Sequence, residues 1–477
     1  MFGNGKVTLV GAGPGSAGLL TLRGLESLRE ADTVVCDRLV SREILELIPL
    51  SAECIYAGKE SGSHAIPQED INRLLLREAQ RGKNVVRLKG GDPFLFGRGG
   101  EELELLAKHG VAFEVVPGVS SALSVPAYAG IPVTHRGYAA SVHIITAHTK
   151  AGSEAGINYA ALVQTKGTLV FLMGAVLTEK IASGLLAAGL PPDTPAAVIE
   201  HGTRSFQRKT LTTASELANV PRSFESPAIL VIGDVCALSS DFDSFSRLPL
   251  KGRRIVVTRS REDSGRLSGL LRKLGAEVIP YHCIVTEPLP ARLPDFSAFE
   301  WLVFTSPRGA AAFGALLSAN SLDARVLAKL KIAAVGASTA EELKKLGLRA
   351  DYVPKTYGAA ALAEGLRTIR AKRILHLGAE NVSLTFGASL PLYRTRSAVP
   401  QAADLSSADC VTFTSASTVR GFAESAGNCE QFKAACIGPR TAEEAAKYNF
   451  AKIAAAESAT LAALCDCAVK LLETERI

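Results

Sequence analysis

"VVRLKGGDPFLFGRGGEE", Val85 to Glu102, decides how the first half of this chain is read. Its apolar opening has the character of a buried strand, and its close, "RGGEE", begins a charged helical stretch. A strand that runs through glycines into a helix is the repeating unit of an α/β fold. Glycine has no Cβ, so the backbone at Gly90 and Gly91 can lie directly against a ligand. A phosphate would need backbone N–H groups, a lysine and a following Ser or Thr. Here the glycine pair meets Asp92, which repels phosphate, and Pro93, which has no N–H. The stretch therefore predicts a ligand that is neutral or cationic where it meets Asp92.

Outward from this stretch the same alternation continues. "KVTLVGAG", "DTVVCD", "VHIITAH", "GTLVFLMG" and "AILVIGDV" read as strands, and "LLTLRGLESLREA" and "EDINRLLLREAQRGK" read as helices. This predicts an α/β first half, residues 1–237, with a largely parallel sheet. Residues 238–250, serine-rich and polar, read as a linker. From Lys251 the pattern restarts with "RRIVVTRSREDSGRLSGLLRKLGAEVIPY". An internal echo follows: "VFTSPRGAAAF" at Val303 returns as "TFTSASTVRGF" at Thr412, and "AAVGASTAEELKKLG" at Ala333 returns as "ACIGPRTAEEAAKYN" at Ala435. Two similar α/β lobes are expected, one from 251–285 plus 400–477 and the other from 286–399.

Composition narrows the classes. Of 477 residues, 47% are hydrophobic and 21% charged, as in an ordinary globular chain. A formal net charge of +6 without a Lys/Arg run argues against nucleic acid and suits a small acidic substrate. The nine cysteines are scattered without metal-ligand spacing, which points to reduced thiols, a cytoplasmic location and no metal site. No apolar run is long enough to predict a membrane span.

"VTLVGAGPGSAGLLTLRG" near the N-terminus begins like a dinucleotide fingerprint, but Ser16 stands where a third glycine belongs and Pro14 removes an N–H. That disfavours a nicotinamide oxidoreductase. The blocks "VGAGPG…LLTLRG", "DRLV", "GK…H…Q…IN", "RLKGGDPFLFGRGGEE", "VVPGVSSA", "AGIPVTHRG" and "AVIEHGT" occur in that order. Together they resemble uroporphyrinogen-III C-methyltransferase, of the tetrapyrrole methylase fold with its two α/β subdomains.

The resemblance implies S-adenosyl-L-methionine, a sulfonium without phosphate, as cofactor. It places cofactor contacts on Pro14, Gly90, Gly91, Asp92, Leu95, Ser120, Ser121, Met173 and Gly202. It implies uroporphyrinogen III, with eight carboxylates, as substrate. Arg38, His64, Arg98, His135 and Arg136 are candidate carboxylate contacts. It makes Asp37 the proton acceptor and Lys59 the proton donor. For single residues the plain alternatives are packing for Met173, helix capping for Ser120, Ser121 and Asp37, and a carboxylate anchor for Lys59. Two departures stand out: Ser16 replaces the family's usual Asp, and Cys36 replaces a frequent Tyr.

In the second half, "KGRRIVVTRS", "VFTSPRGAAAF", "VGASTAEELKKLG", "LYRT", "TFTSASTVRGF" and "IGPRTAEEA" resemble uroporphyrinogen-III synthase. The resemblance implies a two-lobed fold that closes hydroxymethylbilane, chiefly by holding it folded. Thr305, Ser306, Thr414, Ser415 and Ser417 are candidate substrate contacts, and Tyr393 a candidate catalytic group. Capping explains the Thr-Ser pairs equally well. Between "RILHLGAE" and "LYRT" stands only "NVSLTFGASLP", too short for the family's usual helix and strand, so this lobe reads as trimmed. The expectation is a bifunctional enzyme, homodimeric through its first half, that makes uroporphyrinogen III and methylates it twice to precorrin-2, toward sirohaem or cobalamin. The rivals are a methyltransferase for a later corrin substrate and a methyltransferase whose second half only binds or scaffolds tetrapyrrole.

Overall fold

The apolar runs become strands, and their burial sets the layers. The computed structural model describes residues 5–57, 66–147, 156–219, 224–355, 358–380, 386–400 and 403–473. The first five strands are β1 (Lys6–Gly11), β2 (Thr33–Cys36), β3 (Glu53–Tyr56), β4 (Asn84–Lys89) and β5 (Ala112–Val116). They form one sheet in the order β3-β2-β4-β1-β5, parallel at every pairing. Helices cover both faces, which is why β1 and β2 are apolar almost throughout rather than alternating. One face packs Val10, Val34, Cys36, Val86 and Leu88. The other packs Val7, Leu9, Val35 and Val85 against Leu75 and Leu106 of the helices Gln68–Gln80 and Gly99–Lys108.

A second sheet follows, made of β6 (Val142–Thr146), β7 (Thr168–Leu172), β8 (Pro195–Glu200), β9 (Arg208–Thr213) and β10 (Ala228–Ile232) in the order β6-β7-β10-β8-β9. Here the structure departs from the expected parallel arrangement. Only β6 and β7 run parallel, while β10 opposes both β7 and β8, and β9 opposes β8. The short loop 201–207 joining β8 to β9 is too brief for a crossover, so the two strands must be antiparallel.

The chain divides into two compact units after Gly252. The stretch read as a linker, 238–250, is packed onto the first unit. Lys209 Nζ donates to Ser239 Oγ and Asp243 Oδ2, both at 2.6 Å, and to the Ala129 carbonyl at 3.2 Å. Phe245 sits edge-on to Tyr128, and Leu250 is fully buried. Lys251 Nζ lies over the Phe245 ring and donates to the carbonyls of Ser205 and Gln207. Gly252 N donates to the Ser205 carbonyl at 3.1 Å.

The second unit holds β11 (Arg254–Val257), β12 (Glu277–Pro280), β13 (Ile284–Pro288), β14 (Trp301–Phe304), β15 (Lys331–Ala334), β16 (Ile374–Ala379), β17 (Ala388–Ser397), β18 (Cys410–Phe413), β19 (Lys433–Cys436) and β20 (Lys452–Ala455). Two five-stranded sheets result, β12-β11-β18-β19-β20 and β13-β17-β16-β14-β15. The chain leaves the first sheet through β13 and returns through β17, and these two strands pair antiparallel. The internal echo maps onto equivalent steps. β14 and β18 each lead into a helix, Pro307–Ala319 and Ala416–Ala426, then β15 and β19 lead into Ala337–Lys345 and Pro439–Ala445. β17 follows β16 in parallel after only residues 380–387, of which 381–385 lie outside the described set.

Candidate active sites

In the first unit, three loops leave the C-terminal ends of β1, β4 and β5 side by side. Gly13 and Gly91 exchange backbone hydrogen bonds of 3.1 and 2.8 Å. Gly11 and Gly118 touch so closely that a Cβ on Gly11 would lie 2.4 Å from Gly118 Cα. Gly91 is different. It is left-handed, with φ +67°, and a Cβ built there would meet nothing within 4 Å. Bare backbone therefore faces open space at one point of an otherwise closed glycine junction. Pro14, Gly90 and Leu95 stand around it, half-buried. Ser120 caps the helix Ser121–Tyr128 beside the same junction, accepting from Ala122 N at 3.2 Å.

Asp92, half-buried beside this opening, has both carboxylate oxygens hydrogen-bonded. One carboxylate oxygen accepts from Phe94 N (2.8 Å) and Leu95 N (3.1 Å), and the other from Gly118 N (3.0 Å). These bonds tie the β4 loop to the β5 loop, so Asp92 shapes the site.

From the second sheet come Met173, half exposed at 49%, and Gly202, pressed against Val125 so that a Cβ would meet it at 2.3 Å. Met173, His201 and Thr203 all have positive φ (58°, 52° and 66°), as do Phe96 and Arg98 (55° and 60°). Strained backbone of this kind concentrates at binding sites. Ser16 N donates to Thr203 Oγ1 at 3.3 Å, linking the β1 loop to the β8 loop. The described residues thus bring Pro14, Gly90, Gly91, Leu95 and Ser120 around one junction.

Of the basic candidates, Arg38, His135 and Arg136 are exposed. His135 Nδ1 accepts from Gly137 N at 3.1 Å, and its ring meets Tyr138 edge-on. Arg98 is held by both Glu101 oxygens, at 3.0 and 2.8 Å. Lys59 and His64 lie outside the described residues.

Asp37 follows β2 and is part of a charged cluster that the sequence reading missed. Arg87 Nη2 donates to Asp37 Oδ1 at 2.5 Å, and Arg87 Nε to Glu102 Oε1 at 2.9 Å. Lys89 Nζ reaches the same Glu102 oxygen at 2.8 Å. Burial and the nearby Arg87 charge push the Lys89 amine below its ordinary value. All three missed residues stand in the quoted stretch, spaced as i and i+2 on β4 with Glu102 one turn into the helix.

Cys36 lies beside Asp37 in sequence, and its Sγ is 3.8 Å from Cys54 Sγ on β3. All nine cysteines are free, and every one but Cys54 is buried. Hydrogen bonding from Cys36 lowers the Cys54 thiol to about 7.

The second unit has a cleft of ≈ 690 Å³ between its two sheets. Ser306, Tyr393, Thr414, Ser415 and Ser417 line it, so the echoing Thr-Ser motifs face one another. Tyr393 Oη and Ser306 Oγ are 2.9 Å apart, and Ser306 Oγ also accepts from Gly309 N as the helix cap. Ser415 caps its own helix by accepting from Thr418 N. Capping and site-lining are therefore one arrangement. Thr305 is the exception, because its hydroxyl meets buried His376 Nε2 at 3.0 Å rather than the cleft. Arg259, Arg308, Arg394 and Arg420 also line the cleft. Each sits within or beside a quoted motif ("VVTRS", "TSPRG", "LYRT", "TVRGF"), which is the signal that would have found them.

Residues 6–218 match the family of Tetrapyrrole (Corrin/Porphyrin) Methylases, and residues 265–466 match Uroporphyrinogen-III synthase HemD. The chain is 44% identical to the "Porphyrin biosynthesis protein HemD" of Ruminiclostridium josui, over 98% of each chain. It is 50% identical to the "Siroheme synthase" of Salmonella typhimurium over 51% of this chain, spanning about half (52%) of that protein. Among solved structures, the uroporphyrin-III C-methyl transferase of Thermus thermophilus, complexed with S-adenyl homocysteine, aligns with TM-score 0.44 and 40% identity over 49% of this chain and 100% of that one.

Proposed function

The chain belongs to the tetrapyrrole methylases through its first unit and to the uroporphyrinogen-III synthases through its second, and on that premise we propose that it closes hydroxymethylbilane to uroporphyrinogen III and methylates the product twice to precorrin-2, for sirohaem or cobalamin. It is an enzyme with an S-adenosylmethionine-dependent C-methyltransferase half and a uroporphyrinogen-III synthase half. The observation that carries the methylation reading is Gly91, whose missing Cβ leaves open space where the neighbouring Gly11 and Gly118 are shut.

The residues present fit the cofactor. Bare backbone at Gly90–Gly91, the apolar Pro14, Leu95 and Met173, and the helix start at Ser121 suit a thioether-bearing amino acid and nucleoside without phosphate. S-adenosylmethionine supplies an electrophilic methyl group, which joins a ring carbon as its bond to sulfur breaks. The methylated macrocycle then carries one proton too many, and Asp37 takes it. Lys59 serves as proton donor in this reading. Arg38, Arg98, His135, Arg136 and His64 receive the substrate carboxylates, with Arg98 exchanging Glu101 for them.

In the second unit the cleft holds the bilane in a closed curve. Ser306 Oγ already accepts from Gly309 N, so it can donate to Tyr393 Oη and leave the phenol proton for the departing hydroxyl. That hydroxyl leaves as water, a pyrrole carbon of the far ring bonds to the methylene it leaves behind, and the proton which that attacking carbon then sheds restores the Tyr393 phenol. Arg259, Arg308, Arg394 and Arg420 line the cleft together with Asp263, Glu342 and Glu380, and in this reading the arginines exchange their carboxylate partners for those of the bilane. The free thiols accord with a cytoplasmic setting, and the reading includes a homodimer through the first unit, which light scattering checks.

The test is to give the full chain hydroxymethylbilane and S-adenosylmethionine. A type-III product two methyl groups heavier than uroporphyrinogen supports both halves. Methylation of supplied uroporphyrinogen III, with only the type-I isomer formed from bilane, would leave the second unit a binding module.

A further inference from the structure

Resting on the reading of Asp37 as proton acceptor, we infer that Arg87 is the positioning residue for that carboxylate, anchored from behind by Glu102 and Lys89.

The register places these groups together. β2 and β4 pair with Val35 beside Arg87, and Asp37 N donates to the Leu88 carbonyl at 3.1 Å. Arg87 and Lys89 therefore share the sheet face covered by the helix Gly99–Lys108, from which Glu102 enters. That face is otherwise Val7, Leu9, Val35, Leu75, Val85 and Leu106. A guanidinium placed there must be met by charge and hydrogen bonds, or the fold would lose it to an apolar residue.

Arg87 spends its donors in three directions: Asp37, Glu102 and the Val35 carbonyl (3.3 Å). Fixing the helix to the sheet does not require the arm to Asp37. Glu102 Oε1 is already held by Lys89 Nζ and by Gln68 Nε2 at 3.1 Å. The arm toward Asp37 goes beyond that need. In the cluster, Arg87, Lys89 and Glu102 have side chains at most 4% exposed, while Asp37 is 32% exposed. Asp37 is where the cluster reaches the surface. Tying Oδ1 to a rigid, buried guanidinium sets the plane of the carboxyl.

The test is a double-mutant cycle on the full chain, with uroporphyrinogen III and S-adenosylmethionine supplied. Arg87→Met should lower kcat for methyl transfer about 10²-fold, with KM for uroporphyrinogen III and S-adenosylhomocysteine binding by calorimetry little changed. In an Asp37→Asn background the same change should cost less than about 3-fold. A full further loss there, or a loss carried by KM instead of kcat, overturns the inference, because Arg87 would then act elsewhere. Undiminished kcat in Asp37→Asn by itself overturns the acceptor reading beneath it. If Arg87→Met does not fold, Arg87→Lys, which keeps the charge but reaches only one carboxylate, runs through the same cycle under the same criterion.

Discussion

A methyl group added at Gly91 would enter open space, whereas one added at Gly118 would lie 2.2 Å from the Gly91 carbonyl oxygen. Gly91→Ala should therefore fold, with a left-handed strain of about 1–2 kcal/mol, and lose most of its S-adenosylhomocysteine affinity by calorimetry. Gly118→Ala should instead fail to fold or lose several degrees of Tm, because backbone blocks it. Equal affinity in Gly91→Ala and the parent would remove Gly91 from the site. The bareness of this loop is legible in sequence, since glycine has one physical reading at such density. The fate of Asp92 is not, because its partners come from residue 118 as well as from its own turn. Arg87, Lys89 and Glu102 were equally hidden. Charges on alternate positions of a strand usually mean a solvent face, and only β2 and the helix Gly99–Lys108 together reveal an interior.

The strands and helices carry two further expectations. Ser415→Ala removes the capping box at the start of Ala416–Ala426, which should cost about 1 kcal/mol and lower the unfolding midpoint of the second unit in urea. An unchanged midpoint would mean that the box contributes nothing. On β16, burial depresses His376 below its ordinary 6.5. A depressed histidine is neutral in the fold but takes a proton when unfolded, so its contribution is present above 6.5 and is lost as pH falls below that value. His376→Gln should flatten the loss of Tm of the second unit in that acid range, and an unaltered slope would show that other groups set it. At this scale the echoing strand-helix steps of the two lobes were readable, because repeated motifs repeat their turn chemistry. The antiparallel pairings of β8 and β10 were not. A strand buried on both faces has the same apolar run whichever way its neighbours point.

At the scale of the whole chain, the boundary matters more than the composition suggests. Serines and a proline between 238 and 250 look like a tether, yet Ser239, Asp243, Phe245, Leu250 and Lys251 are fastened to the first unit. A piece ending at Gly252 should methylate supplied uroporphyrinogen III as the full chain does. A piece ending at Leu238 should lose several degrees of Tm and bind S-adenosylhomocysteine less tightly, since Lys251 and Gly252 hold the backbone of Ser205, close to Gly202. Equal behaviour of the two pieces would make the strap dispensable. The cysteines, which the sequence shows only as scattered, sort themselves in three dimensions into buried ones and Cys54. Exposed on β3 and ionising near neutral pH, Cys54 is a ready-made single attachment point for a maleimide dye. It stands one strand away from Asp37, so the natural chain can be fitted with an optical reporter of site occupancy without removing a single thiol.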